Sequence, residues 1–245
     1  MKNTKNSPVI SVVIPAYNEE KLIEKCLVAL KKQDAKFSYE IIVVNGPSID
    51  QTRAIAQEYA DVVVDQTGIG IGQARNQGCK LAQGEILAMT DADVFAPPNW
   101  LTRIYDFFRE NKYVIALAGP YNFIDADTLN RASRIVRPIA KEIHKAITGT
   151  IPFSGTNMAI RKDAYFMAGE FDPEITGLED IELGMRLAKV GKSVYLENLV
   201  VKTTDRRFKH PTRHFMTTLL PAYIKRTVFK TKDDKAIWKP VQVSK

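Results

Sequence analysis

The sequence predicts an α/β fold, a mostly parallel central sheet with helices on both faces. Short β-branched runs alternate with segments of helical periodicity through the first half of the chain, and the runs are apolar throughout, as buried parallel strands are. Size agrees: 245 residues, 45% hydrophobic and 26% charged, suffice for one full core with an appendage.

The elements follow in order. Val9 to Ile14 reads as a strand stopped by Pro15, and Glu19 to Lys31 as a helix whose Leu22, Ile23, Cys26, Leu27 and Leu30 recur at helical spacing. Strands are expected over Glu40 to Val44, Val62 to Asp65 and Glu85 to Thr90, with helices over Asp50 to Tyr59 and Gly72 to Ala82 between them. In such a βαβα series, ligands lie outside the carboxyl ends of the strands. Past Pro97-Pro98 come a helix (Asn99 to Arg109), a strand (Tyr113 to Ala118), a longer helix (Arg131 to Thr148) and an extended stretch (Ile151 to Arg161). Helices over Lys162 to Met167 and Glu179 to Val190 and a strand over Ser193 to Leu196 complete the core. Pro211 to Phe229 reads as one more helix, so residues 1–204 are expected to form the main domain and 205–245 a basic amphipathic extension.

Composition narrows the function classes. Cys26 and Cys79, the only cysteines, have no CxxC or histidine partners, which argues against a disulfide framework or a zinc site and fits a reducing cytoplasm. Residues 1–8 lack the apolar core of a signal peptide, and no stretch reaches the ~18 apolar residues of a membrane span. The net charge of +7 is uneven, with 12 Lys/Arg against three acids from Lys202 to Lys245. Such a segment suits an anionic membrane surface, and its basic and aromatic residues also admit a nucleic-acid module, which leaves the acidic loops of the core unexplained. No nucleic-acid partner is therefore expected.

Asp91-Ala92-Asp93 follows the apolar run Ile86 to Thr90, so two carboxylates emerge where a buried strand meets solvent. Like charges that close favour a cation between them, and Mn²⁺ or Mg²⁺ suits carboxylate oxygens that share the ion with phosphates and water. Arg75 opens a helix after the glycine-rich Gly68 to Gly72, a setting for an anion at helix-start amides and a guanidinium. Glu179-Asp180 lies at the positive end of another helix.

Several segments, in order, resemble the family 2 glycosyltransferases of GT-A fold. They are Val12 to Glu20 (VVIPAYNEE), Val43 to Thr52, Gly72 to Gly78, Asp91 to Asp93, Gly155 to Arg161 (GTNMAIR) and Gly177 to Leu187. The resemblance implies a Rossmann-like GT-A domain and inverting transfer from a UDP- or GDP-sugar to a glycan or lipid-linked acceptor. It implies a nucleotide pocket of Pro15, Ala16, Tyr17, Glu19, Asn45, Gly46, Arg75, Asp91 and Ala92. Asn45 stands where relatives usually carry Asp. Metal is assigned to Asp93 first, with Asp91 bridging metal and ribose and His210 as a candidate third ligand. Asp180 is the expected catalytic base beside Glu179. Gly155, Asn157, Trp100, Arg206 and Arg207 are expected on the acceptor side. A polyprenyl-phosphate sugar synthase and a sugar nucleotidyltransferase are the alternatives, and the location is the cytoplasm or the cytoplasmic membrane face.

Overall fold

The computed structural model describes residues 7–124, 126–175, 177–204 and 220–229. The strands are β1 (Ile10–Ala16), β2 (Tyr39–Asn45), β3 (Val62–Asp65), β4 (Ile86–Met89), β5 (Val94–Phe95), β6 (Val114–Ala118), β7 (Tyr121–Phe123), β8 (Met158–Arg161), β9 (Lys192–Tyr195) and β10 (Val201–Thr203). The helices are α1 (Ile23–Lys31), α2 (Thr52–Tyr59), α3 (Ile71–Leu81), α4 (Trp100–Glu110), α5 (Asp127–Thr148), α6 (Lys162–Met167), α7 (Glu179–Val190) and α8 (Leu220–Thr227).

Seven strands form one sheet in the order β3-β2-β1-β4-β8-β6-β9, and β5, β10 and β7 form a small second sheet. β1 pairs in parallel with β2 and β4, whereas β8 runs antiparallel to both β4 and β6. The reversal carries function. It sets the residues just before β8 beside those just after β4, so the loop at 154–157 meets Asp91 at the carboxyl end of the parallel strands.

Side-chain alternation along β1 divides the core in two. Ile10, Val12 and Ile14 pack with Cys26, Leu27 and Leu30 of α1 and Trp100, Leu101 and Ile104 of α4. On the other face Val13 packs in a cluster with Cys79 of α3, Tyr165 of α6 and Leu183 and Leu187 of α7. Gly78 lets α3 approach closely, since a Cβ there would sit 2.5 Å from Val13 Cγ1.

Several boundaries depart from the sequence reading. Pro15 does not stop β1, which continues to Ala16. β4 ends opposite Val13, so the ladder has no partner on the side where Pro15 lacks its N–H. Glu19 to Leu22 is a turn before α1, and the stretch before Met158 is a loop. The short β5, β7 and β10 were not expected. α8 lies within the expected 211–229 helix, whose residues 211–219 fall outside those described.

Candidate active site

Arg75 is the centre of the site. α3 carries it under the carboxyl end of the sheet, where Nη2 donates to Asp91 Oδ1 at 2.8 Å and Nη1 to Glu179 Oε1 at 2.7 Å. Its side chain is only 3% exposed, so the two ion pairs are desolvated. Burial opposes its charge, but Asp91, Glu179 and Asp180 outweigh that and raise its pKa. Gly155 lies so close that a Cβ would fall 2.0 Å from Nη2, so the 154–157 loop requires glycine there. Arg75 was expected to face an anion. Its guanidinium instead ties the end of β4 to the start of α7.

The second oxygen of Asp91 accepts from Thr156 Oγ1 at 2.8 Å, and Thr90 Oγ1 donates to the Thr156 carbonyl at 3.0 Å. Asp180 closes the ring: its Oδ2 accepts from the Gly155 amide at 3.0 Å and its Oδ1 from the Ile181 amide at 2.8 Å. Burial, with the neighbouring Glu179 charge, raises its pKa to about 7, although Arg75 and the two amides pull the other way. Leu178, in the left-handed conformation at φ 56°, turns the chain so that Glu179 and Asp180 open α7.

Asp93 is buried between β4 and β5, where Thr204 Oγ1 donates to its Oδ2 at 3.0 Å. Burial first, and then the charges of Asp93, Asp91 and Glu19, push up the pKa of the Cys26 thiol. Among the described residues no three His, Cys, Asp or Glu side chains gather into a metal-ligand group. Hard oxygen donors with few protein ligands fit a divalent ion that takes its other positions from phosphate and water.

At the carboxyl end of β1, Tyr17 is partly exposed, and Gly46 N donates to Ala16 O at 2.7 Å. Asn18 is left-handed at φ 53°, with its Oδ1 accepting from Ile49 N at 2.9 Å. Glu19 is buried, and its amide donates to Thr52 Oγ1 at 2.6 Å. Asn45 accepts from Ser48 Oγ at 2.9 Å and donates to Asp65 Oδ1 at 3.3 Å. Pro15 and Ala16 end β1, and Ala16 and Ala92 are buried.

Two expected acceptor residues are corrected. Asn157 and Trp100 are fully buried: Trp100 Nε1 donates to Asn157 Oδ1 at 2.9 Å, and Asn157 Nδ2 donates to the carbonyls of Pro120 and Leu199 at 3.0 and 2.6 Å. These bonds join α4, the 119–120 turn and the 199 loop, so neither side chain faces an acceptor. Arg206, Arg207 and His210 lie outside the described residues. Thr156, Thr204 and Tyr121 were missed. Thr156 stands within the GTNMAIR segment, whereas Thr204 and Tyr121 belong to no motif. Tyr121 feels the charges of both Asp180 and Asp91, and its pKa is raised by burial first and by them second.

A sheet of this order with acidic loops at its carboxyl end is the GT-A architecture. Residues 11–167 match the family model described as glycosyl transferase family 2, and the chain belongs to that family. Among its relatives, Glycosyltransferase AglE of Haloferax volcanii is 27% identical over 219 residues, covering 86% of this chain and 70% of that protein. The poly(ribitol-phosphate) beta-glucosyltransferase of Bacillus spizizenii is 39% identical over 116 residues, 44% of this chain but only 18% of its own length. A mannosyltransferase from Pyrobaculum calidifontis, solved with GDP-Man and Mn²⁺, shares the fold with a TM-score of 0.73 at 22% identity, over 97% of this chain and 68% of that one. Glucosyl-3-phosphoglycerate synthase of Mycobacterium tuberculosis, solved with Mn²⁺, UDP-glucose and glycerol 3-phosphate, superposes with a TM-score of 0.64 at 19% identity, covering 91% and 81%.

Proposed function

We propose that the protein transfers a sugar, with inversion, from a UDP- or GDP-linked donor to a hydroxyl of a glycan or lipid-linked acceptor. One observation carries this reading: Arg75 and the Gly155 loop join Asp91, at the donor end, to Asp180, at the start of α7, in one ring of charged hydrogen bonds. The solved relatives with GDP-Man and with UDP-glucose support the donor class.

The nucleotide lies along Tyr17, Glu19, Asn45 and Gly46, with Tyr17 offering a ring face to the base. Asp93 would hold the Mn²⁺ or Mg²⁺, which would supply positive charge to the diphosphate. Asp91 is fixed by Arg75 and Thr156 and would help hold the ion and accept from the ribose. Asp180 takes the proton of the acceptor hydroxyl as that oxygen attacks the anomeric carbon opposite the leaving nucleoside diphosphate. A base with a pKa near 7 suits a hydroxyl acceptor. A phosphate acceptor is already an anion and needs no such base, which sets the polyprenyl-phosphate alternative apart.

Asp180→Asn is expected to keep donor affinity and lower transfer by about 10²–10⁴-fold, the usual worth of a general base. Full turnover by this variant would remove Asp180 as base and point to a phosphate acceptor. Asp93→Ala is expected to lose the rise in melting temperature that Mn²⁺ plus a nucleotide sugar gives the wild type, read by thermal shift. An unchanged rise would sink the ligand assignment.

A further inference from the structure

α5 is built inside out. An amphipathic helix on a soluble domain turns its apolar stripe to the core, but here four polar side chains, Asn130, Arg137, Lys141 and His144, face the body of the protein. Asn130 clasps the backbone of Phe123, Arg137 Nη2 donates to Tyr121 O at 2.9 Å, and Lys141 pairs with Glu197 and lies 5.5 Å from the Tyr195 ring centre. His144 is buried and bonds Tyr223 of α8 at 2.8 Å. The opposite face is aliphatic and open: Ile135 is 71% exposed, Val136 59%, Ile139 60%, Ile143 54% and Ile147 44%. At ~100° per residue these five share an arc of about 120° on a helix some 33 Å long.

The charges around the stripe identify what it meets. Of the five Lys/Arg of α5, Arg137 and Lys141 turn inward and three are exposed, against one exposed acid, Glu142, among the described residues. Arg131, Arg134 and Lys145 run along one border of the stripe together with the acid Glu142, and Arg134 lines an open cleft with Asn122, Arg137, Pro138 and Glu197. α8, which bonds α5 through Tyr223, carries exposed Ile224 beside Lys225, and Val228 and Phe229 just past its end are exposed too. Aliphatic side chains bordered by cations suit the headgroup and acyl boundary of an anionic bilayer, where both parts gain. No helix of the described residues is long and apolar enough to cross a membrane, so the contact lies in the interface plane.

We propose that the outward face of α5, extended by α8, docks the protein on an anionic lipid surface. The proposal stands apart from the transferase reading and rests on which way this helix faces. The full chain is expected to co-float with phosphatidylglycerol/phosphatidylcholine vesicles at low salt, to be released as salt rises, and to ignore pure phosphatidylcholine. Ile139→Ser/Ile143→Ser is expected to lower the partition at least about tenfold with the melting temperature unchanged, because both side chains are already in water in the free protein. Vesicle binding left intact in this variant would overturn the proposal, leaving the basic segment after Lys202 as the binder. Failure of the wild type to co-float, or its assembly into a dimer that the double variant abolishes, would overturn it as well. A second reading uses Ile139→Cys carrying an environment-sensitive fluorophore, since Cys26 and Cys79 are both buried with thiol pKa values pushed up by that burial. Anionic vesicles are expected to blue-shift its emission, and an unshifted spectrum with bound vesicles would place the contact elsewhere.

Discussion

Arg75 shows how far a residue's type speaks for its role. Its place after a glycine-rich turn suggests an anion site, but Asp91 and Glu179, respectively 16 and 104 positions away, are its partners. Arg75→Met would leave two carboxylates desolvated without their cation, and a loss of about 3–5 kcal/mol is expected. For a chain of this size that lowers the melting temperature by about 10 °C; a shift below ~2 °C would mean that the carboxylates find other partners. Asn157 and Trp100 teach the converse. Their segments are visible in the sequence, yet whether an amide faces ligand or core depends on carbonyls at 120 and 199 that no local pattern reveals. Asp180 opens α7, where burial and the Glu179 charge raise its pKa to about 7.

Among the elements, those with long apolar runs or strong periodicity were legible. α6 and α7 fall on their expected residues, and β1 to β4 shift by at most two residues at either end. The failures share a cause. β5, β7 and β10 are two or three residues long, too short for any period, and exist only because they pair with one another. The antiparallel sense of β8 is equally invisible, since an apolar run does not encode direction. α3 depends on Gly78, and Gly78→Ala is expected to cost about 1–3 kcal/mol through contact with Val13. Urea unfolding would read it as a lower midpoint at constant slope, and an unchanged midpoint would show that α3 can shift at no cost.

For the molecule as a whole, Asp180 couples stability to pH. Its pKa is about 7 in the fold against the ordinary 3.8, so between these values the native state holds a proton that the unfolded chain has released. The contribution is therefore fully present below about pH 4 and lost as pH rises through 7, by an amount on the order of a few kcal/mol. Transfer moves the opposite way, rising towards pH 7 as the base ionises. Asp180→Asn is expected to flatten this part of the stability profile, measured by denaturant melts from pH 4 to 8; an unaltered slope would assign the dependence to another group.

The ring of bonds around Arg75 also bears on synthesis. It needs residues 75, 91, 155, 156, 179 and 180 together, and its longest link spans 104 positions. A nascent chain can lay β1 to β4 side by side early, yet Arg75 has no second counter-charge until α7 has left the ribosome. Closure of the ring is thus a late event in synthesis, possible only once residues 179 and 180 have emerged.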